Sequence, residues 1–231
     1  MSFTVVPHPD KLPPVLPAPC RLVVIDVLRA TTTIAAALHS GAEAVIPVST
    51  VEEARAGAAS GGLLAGERRA FRIEGFDLGN SPLEMTSERV TGRRVYLTTT
   101  NGTRALARVA RWGPVLCASF VNLSRVAEAL RGCGDVLILC SGSQASESPE
   151  DLAAAGALVD ALDGEAPQAQ AHHRDARLDL PGWLAATPHG EYLCRNGFGA
   201  DVRFCATLDA CPVLPVLRNG AAVLEYPLER G

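Results

Sequence analysis

From Arg21 onward, short runs of β-branched and apolar residues alternate with longer alanine-rich segments. This rhythm predicts βα units feeding a largely buried parallel sheet. Continuous apolar runs place strands at residues 21–26, 44–48, 62–65, 94–98, 115–118 and 135–140, with helices in the gaps. One pattern recurs: Val24-Ile25-Asp26 leading to Thr31-Thr32-Thr33 is echoed by Val95-Tyr96-Leu97 leading to Thr98-Thr99-Thr100. Each time a strand runs into threonines and then an alanine-bearing helix, which leaves open two related half-domains, the second starting near residue 94.

Punctuation marks the remaining elements. Residues 1–20 hold Pro7, Pro9, Pro13, Pro14, Pro17 and Pro19, which remove backbone donors and favour an extended path. A proline-rich surface arm is therefore expected ahead of one domain over 21–231. Thr50-Val51-Glu52-Glu53 and Ser81-Pro82-Leu83-Glu84 read as capping boxes, and Ser148-Pro149-Glu150-Asp151 does the same with a shorter acid. Residues 164–179 turn polar, as a connector or exposed helix would. Two late apolar segments, 213–217 and 221–226, flank Asn219-Gly220, a strong hairpin signal.

Composition narrows the function. The 231 residues are 48% hydrophobic, with 25 acidic against 21 basic side chains and a net charge of −4. An acidic chain lacks the basic footprint of nucleic-acid binding. The sole lysine, Lys11, argues against Schiff-base and P-loop chemistry. No apolar run approaches the ~18–20 residues that span a bilayer, and no signal-like leader is present, so a cytoplasmic location is expected. The seven cysteines include no C-x-x-C pair, which disfavours disulfides and zinc. Oligomeric state, homodimer included, is not legible.

The chemistry-bearing residues fall at the ends of the predicted strands. Asp26 closes the first strand as a potential metal ligand or nucleophile, followed by Arg29, a fork for phosphate, and by the hydroxyls of Thr31, Thr32 and Thr33 at a helix start. A second loop carries Glu67 and Asp77, oxygen donors of the kind Mg2+ selects, with Gly79, Asn80 and Ser81. A third, Thr99-Thr100-Asn101-Gly102-Thr103-Arg104, offers donors without an acid. The fourth runs from Ser141-Gly142-Ser143 to Glu150-Asp151, whose acids have the simpler reading of helix caps, and Ser119 with Asn122 forms a fifth. In a parallel sheet such ends share one edge. Acids, arginine and many donors together are the inventory of Mg2+-assisted phosphoryl chemistry. A non-catalytic module binding a phosphorylated metabolite is the alternative, and it has less use for the carboxylates. No histidine lies in these turns, so His39 and His189 read as structural or surface residues.

These blocks resemble the Mg2+-dependent 2-phosphosulfolactate phosphatases of coenzyme M biosynthesis. The likeness rests on Val24-Ile25-Asp26-Val27-Leu28-Arg29-Ala30-Thr31-Thr32, Gly66-Glu67, Gly75 to Pro82 and Thr99 to Thr103. Weaker echoes occur at Ser119 to Asn122, Glu150-Asp151, His189-Gly190 and Asp201 to Ala206. The resemblance implies a three-layer α/β/α fold and a phosphomonoesterase acting on a small 2-hydroxy acid phosphate with a second anionic group, 2-phosphosulfolactate giving sulfolactate and phosphate. It also implies Asp26, Arg29 and Glu67 as the catalytic set and Asp26, Glu67 and Asp77 as Mg2+ ligands. Substrate would be held by Thr31, Thr32, Asn80, Asn101, Gly102, Thr103, Asn122, Ser141 and Gly142.

Overall fold

The computed structural model describes residues 1–16, 19–59, 61–143 and 146–225. Its framework is one ten-stranded sheet. The strands β1 (Phe3–Val6), β2 (Arg21–Ile25), β7 (Val115–Ala118) and β8 (Val136–Cys140) form one parallel run. A second parallel run contains β3 (Ala44–Pro47), β4 (Leu63–Arg68) and β6 (Arg94–Thr98), and β5 (Phe71–Arg72) folds back on β4. The hairpin of β9 (Pro215–Arg218) and β10 (Ala221–Leu224) joins the runs through antiparallel pairings to β7 and β3. Asn219 and Gly220 turn it with φ of 50° and 82°, the left-handed pair that a two-residue hairpin demands. Tyr226, the end of the expected last segment, lies outside the described residues, as does Pro17.

The order β1-β8-β2-β7-β9-β10-β3-β6-β4-β5 has a consequence for the site. Three antiparallel steps separate β7 from β3, so the two runs point in opposite senses. The expected single parallel edge is thus corrected: the hairpin, formed by the last strands of the chain, reverses the second run. Twist of roughly 20–25° per neighbour accumulates to roughly 100–125° over the five steps from β2 to β6. That rotation swings the carboxyl ends of both runs toward a common cleft. From β8 to β4, the order reads the same from either end once β2, β3 and β4 are exchanged for β6, β7 and β8, and β9 for β10.

Alternation along the strands divides the core in two. Leu22 and Val24 of β2, with Val95 and Leu97 of β6, pack against α1 (Ala30–His39) and α4 (Gly102–Ala110) between the runs. Val23 and Ile25 face the opposite way, into a core with α5 (Leu123–Leu130) and α6 (Pro149–Asp160). At the other end α2 (Val51–Ala58) covers β4 and β6, completing an α/β/α arrangement. The helix α3 (Ser87–Val90) is a single turn. The polar stretch after Gly164 is a helix, α7 (Pro167–Ala176), set so closely on α6 that a Cβ on Gly156 would collide with the Ala169 carbonyl. Three short helices follow: α8 (Leu180–Ala186), α9 (Pro188–Arg195) and α10 (Gly199–Cys205). Among the described residues no helix is long and apolar enough to cross a membrane.

Two local expectations are corrected. The first residues are not a surface arm throughout, because Phe3–Val6 pairs in register with Val136 to Leu139 at the edge of the sheet. The Thr50–Glu53 capping box forms, but Ser81 caps nothing. Its hydroxyl instead donates to Asp201 Oδ1 at 2.8 Å, and the Glu84 carboxylate accepts from the Gly79 N–H. All seven cysteines are free, and Cys117, Cys140 and Cys205 are buried as small apolar side chains.

Candidate active site

A cleft of about 680 Å³ lies where the two runs meet, lined by Asp26, Arg29, Glu67, Asn80, Asn101 and His189 among others. A narrower recess opens from it, shared by Asp26, Asn101, Ser143 and His189 and closed by Ser141, Gly142, Glu150 and Asp151.

Asp26 is the first residue past β2, and its carboxylate meets two helix starts. Oδ1 accepts the Ala30 N–H at 3.1 Å, at the first turn of α1. On the other side Gly102, the first residue of α4, approaches so closely that a Cβ there would strike Asp26 Oδ2 and the Ala30 side chain. Glycine at 102 therefore lets α4 abut the carboxylate, which is the position's contribution. Burial, reinforced by the charge of Glu67, pushes the Asp26 carboxyl up to about 6.

The recess is more acidic than the sequence reading supposed. Glu150 and Asp151 are both buried, and burial together with the Asp26 charge raises each carboxyl above its usual value. Their oxygens differ. Asp151 accepts from Val27 N–H, Ser141 Oγ–H and Gly142 N–H, so it ties the β2 and β8 loops together. Among the described residues Glu150 Oε2 is buried without a hydrogen-bond partner. Glu67 is likewise held, by the Ala70 N–H on Oε2 and by the N–H and hydroxyl of Thr100 on Oε1.

Arg29 lines the cleft, but its charge is already answered. Nη1 donates to Asp201 Oδ2 at 2.6 Å, Nη2 donates to the Ala70 carbonyl, and the guanidinium lies 4.4 Å from the centre of the Phe198 ring. Arg29 thus joins α10 to the β4–β5 turn. His189, on α9, stacks on Tyr192 at 6.0 Å. Burial and the nearby Arg29 hold its imidazole below the ordinary histidine value.

The remaining expected residues divide. Asn80, Asn101, Ser141 and Gly142 line the cleft or its recess, and Asn80 Oδ1 is buried with no partner among the described residues. Thr31, Thr32, Thr103 and Asn122 line neither, because their polar atoms are engaged with the backbone. The Thr31 hydroxyl bonds the Asp26 and Ala118 carbonyls, and that of Thr32 bonds Val27. Thr103 exchanges bonds with Thr99, and Asn122 bridges Cys117, Ser119 and Val213. Asp77 is corrected as a partner of Asp26 and Glu67: it is exposed and caps the Leu64 N–H at 2.8 Å, toward the start of β4, whereas Glu67 lies toward its end. Glu150, Asp151, His189 and Asp201 are the members to which the sequence assigned no role at the site, although each lies in a stretch that carries the resemblance. For the first two, paired acids opening a helix right after a strand were a visible signal.

Known proteins match this arrangement over nearly its whole length. The family described as 2-phosphosulpholactate phosphatase matches residues 8–220. A protein of Thermotoga petrophila described as "Probable 2-phosphosulfolactate phosphatase" is 43% identical over 222 residues, 93% of this chain and 97% of its own. Relatives with the same description from Microcystis aeruginosa, 38% identical, and Gloeobacter violaceus, 42% identical, cover 94% and 93% of this chain and 97% and 94% of their own.

Proposed function

Because the chain belongs to the 2-phosphosulfolactate phosphatase family, we propose that it hydrolyses 2-phosphosulfolactate to sulfolactate and inorganic phosphate, using Mg2+ bound in the cleft. The observation that carries this reading is Glu150 Oε2, buried and without a partner among the described residues, in the recess that Asp26 lines. A buried carboxylate oxygen without a donor is costly, and a cation beside it and Asp26 removes the cost. The same cation reconciles a cleft holding Asp26, Glu67, Glu150 and Asp151 with a phosphate dianion, which those charges otherwise repel.

The donor set fits the ion. Its donors are carboxylate oxygens, the hard ligands that Mg2+ takes one or two at a time together with waters and substrate phosphate. Asp26 and Glu150 would hold it, with Glu67 and Asp151 fixed nearby by their own donors. When bound, the ion neutralises phosphoryl oxygens and polarises phosphorus.

The chain's residues supply the rest. The side-chain amides of Asn80 and Asn101, which line the cleft, orient phosphoryl oxygens. Water attacks phosphorus in line, the P–O bond to the substrate breaks, and one proton passes from the water to the departing alkoxide. His189, which lines both the cleft and its recess and is kept neutral by burial and Arg29, relays that proton. Release of inorganic phosphate from 2-phosphosulfolactate with Mg2+ and with a chelator tests the proposal. Turnover only with Mg2+ supports it; binding without turnover in Mg2+ favours a metabolite-binding module instead.

A further inference from the structure

We propose that Arg69 is the residue that reads the substrate's sulfonate, and so decides between 2-phosphosulfolactate and esters lacking that group. The inference rests on the phosphatase reading above.

Arginine at the cleft occurs twice, and the two differ. Arg29 is buried, paired with Asp201 and bonded to the Ala70 carbonyl, so its charge is already matched. Arg69 lines the same cleft and is exposed, and among the described residues its guanidinium has no hydrogen-bond or ion-pair partner. Its five guanidinium donors are thus uncommitted beside the cleft that Arg69 lines.

Its backbone is held in place. Arg69 and Ala70 form the two-residue turn between β4 and β5, where Arg68 faces Phe71, with φ of 53° and 71°. That conformation favours glycine or asparagine, yet an arginine occupies it. Three bonds fix the turn: the Tyr192 hydroxyl donates to the Arg69 carbonyl at 3.0 Å, the Ala70 N–H donates to Glu67, and Arg29 donates to the Ala70 carbonyl. The fork therefore projects from a stiff support built on the catalytic acids' own partners.

Position selects the sulfonate over the other acid groups. The inner recess contains Asp26, Glu150, Asp151 and His189 but not Arg69, which lines only the outer cleft. With phosphate at Asp26, the carboxylate sits on the ester carbon itself, close to phosphorus. The sulfonate hangs one methylene further out and extends toward the mouth, where Arg69 offers two parallel N–H donors to two of its oxygens.

Measuring kcat/KM for 2-phosphosulfolactate and for 2-phospholactate in the wild type, Arg69→Gln and Arg69→Lys tests the assignment. The wild type is expected to prefer the sulfonated ester. Arg69→Gln should reduce that preference roughly 10- to 100-fold, mainly through KM, as loss of a charge-assisted pair predicts. Arg69→Lys should keep part of the preference, and sulfolactate should inhibit Arg69→Gln more weakly than the wild type. A wild type that prefers the sulfonated ester with an unchanged preference in Arg69→Gln overturns this assignment alone. A wild type that hydrolyses neither ester overturns it together with the phosphatase reading.

Discussion

Arg29 and Asp201, 172 residues apart, meet in a 2.6 Å ion pair whose side chains are only 2% and 5% exposed. The pair joins the loop after β2 to α10, and Ser81 donates to the second Asp201 oxygen. Removing one partner of a buried pair leaves the other charge uncompensated. Asp201→Ala should therefore lower the unfolding free energy by roughly 3–5 kcal/mol, read as a shift of the urea midpoint. A loss under ~1 kcal/mol, the range of exposed pairs, would show that Arg29 finds another partner.

Asp26 is kept charged at a cost to the fold. Its carboxyl lies at about 6 in the folded chain against 3.8 ordinarily, so the folded state favours the protonated form. The contribution is favourable at low pH and is lost as pH rises through about 6. In chelator at pH ~7.5, Asp26→Asn should be more stable than the wild type by on the order of 3 kcal/mol, with the difference shrinking toward pH ~4. Added Mg2+ should raise the wild-type melting temperature and leave the variant's unchanged. Thermal melts across pH check both statements.

Thr31 distinguishes support from substrate contact. Its buried hydroxyl bonds the carbonyls of Asp26 and Ala118 and accepts from the Asp26 N–H. Thr31→Val should cost about 1–3 kcal/mol of stability with KM little changed. Asn101→Ala should instead raise KM with little loss of stability. The reverse pattern in steady-state kinetics and melts would return Thr31 to the substrate.

His189 titrates in the opposite sense to Asp26. Its imidazole is held below the ordinary histidine value, so the unfolded chain takes up the proton first as pH falls. Stability referable to His189 is intact above the ordinary histidine range and declines below it. His189→Gln should flatten that acid-side decline and lower kcat roughly 10²–10⁴-fold, with a smaller effect on KM. Denaturation between pH ~5 and ~8 and pH–rate profiles provide the comparison.

Elements whose signal is local were legible in the sequence. Val95-Tyr96-Leu97 and Val115-Leu116-Cys117 are apolar runs bounded by turns, and Asn219-Gly220 marks a hairpin from two residues. The reversed second run was not legible, because it follows from where β9 and β10 insert, a pairing between distant segments. Phe3–Val6 was hidden by the prolines that follow it. Asp26 and Glu67, each read near a strand end, do line one cleft, whereas Asp77, read as an oxygen donor of the same loop as Glu67, folds back to the start of β4. Asp201 and His189 lie on helices far along the chain, in stretches that echo the family without showing what they touch, and only tertiary packing brings them to the loop after β2. Ser148 caps α6 as expected by accepting the Asp151 N–H, but the Asp151 carboxylate does not return a bond to the cap and instead ties Val27 to Gly142.

The central claim is that a divalent cation makes this acidic cleft hospitable to phosphate. Calorimetric titration of inorganic phosphate into the protein, with Mg2+ and then with chelator, tests it most directly. Phosphate should bind at least 10-fold more tightly with Mg2+, and Asp26→Asn should abolish the difference. Equal affinity in the two conditions would contradict the claim.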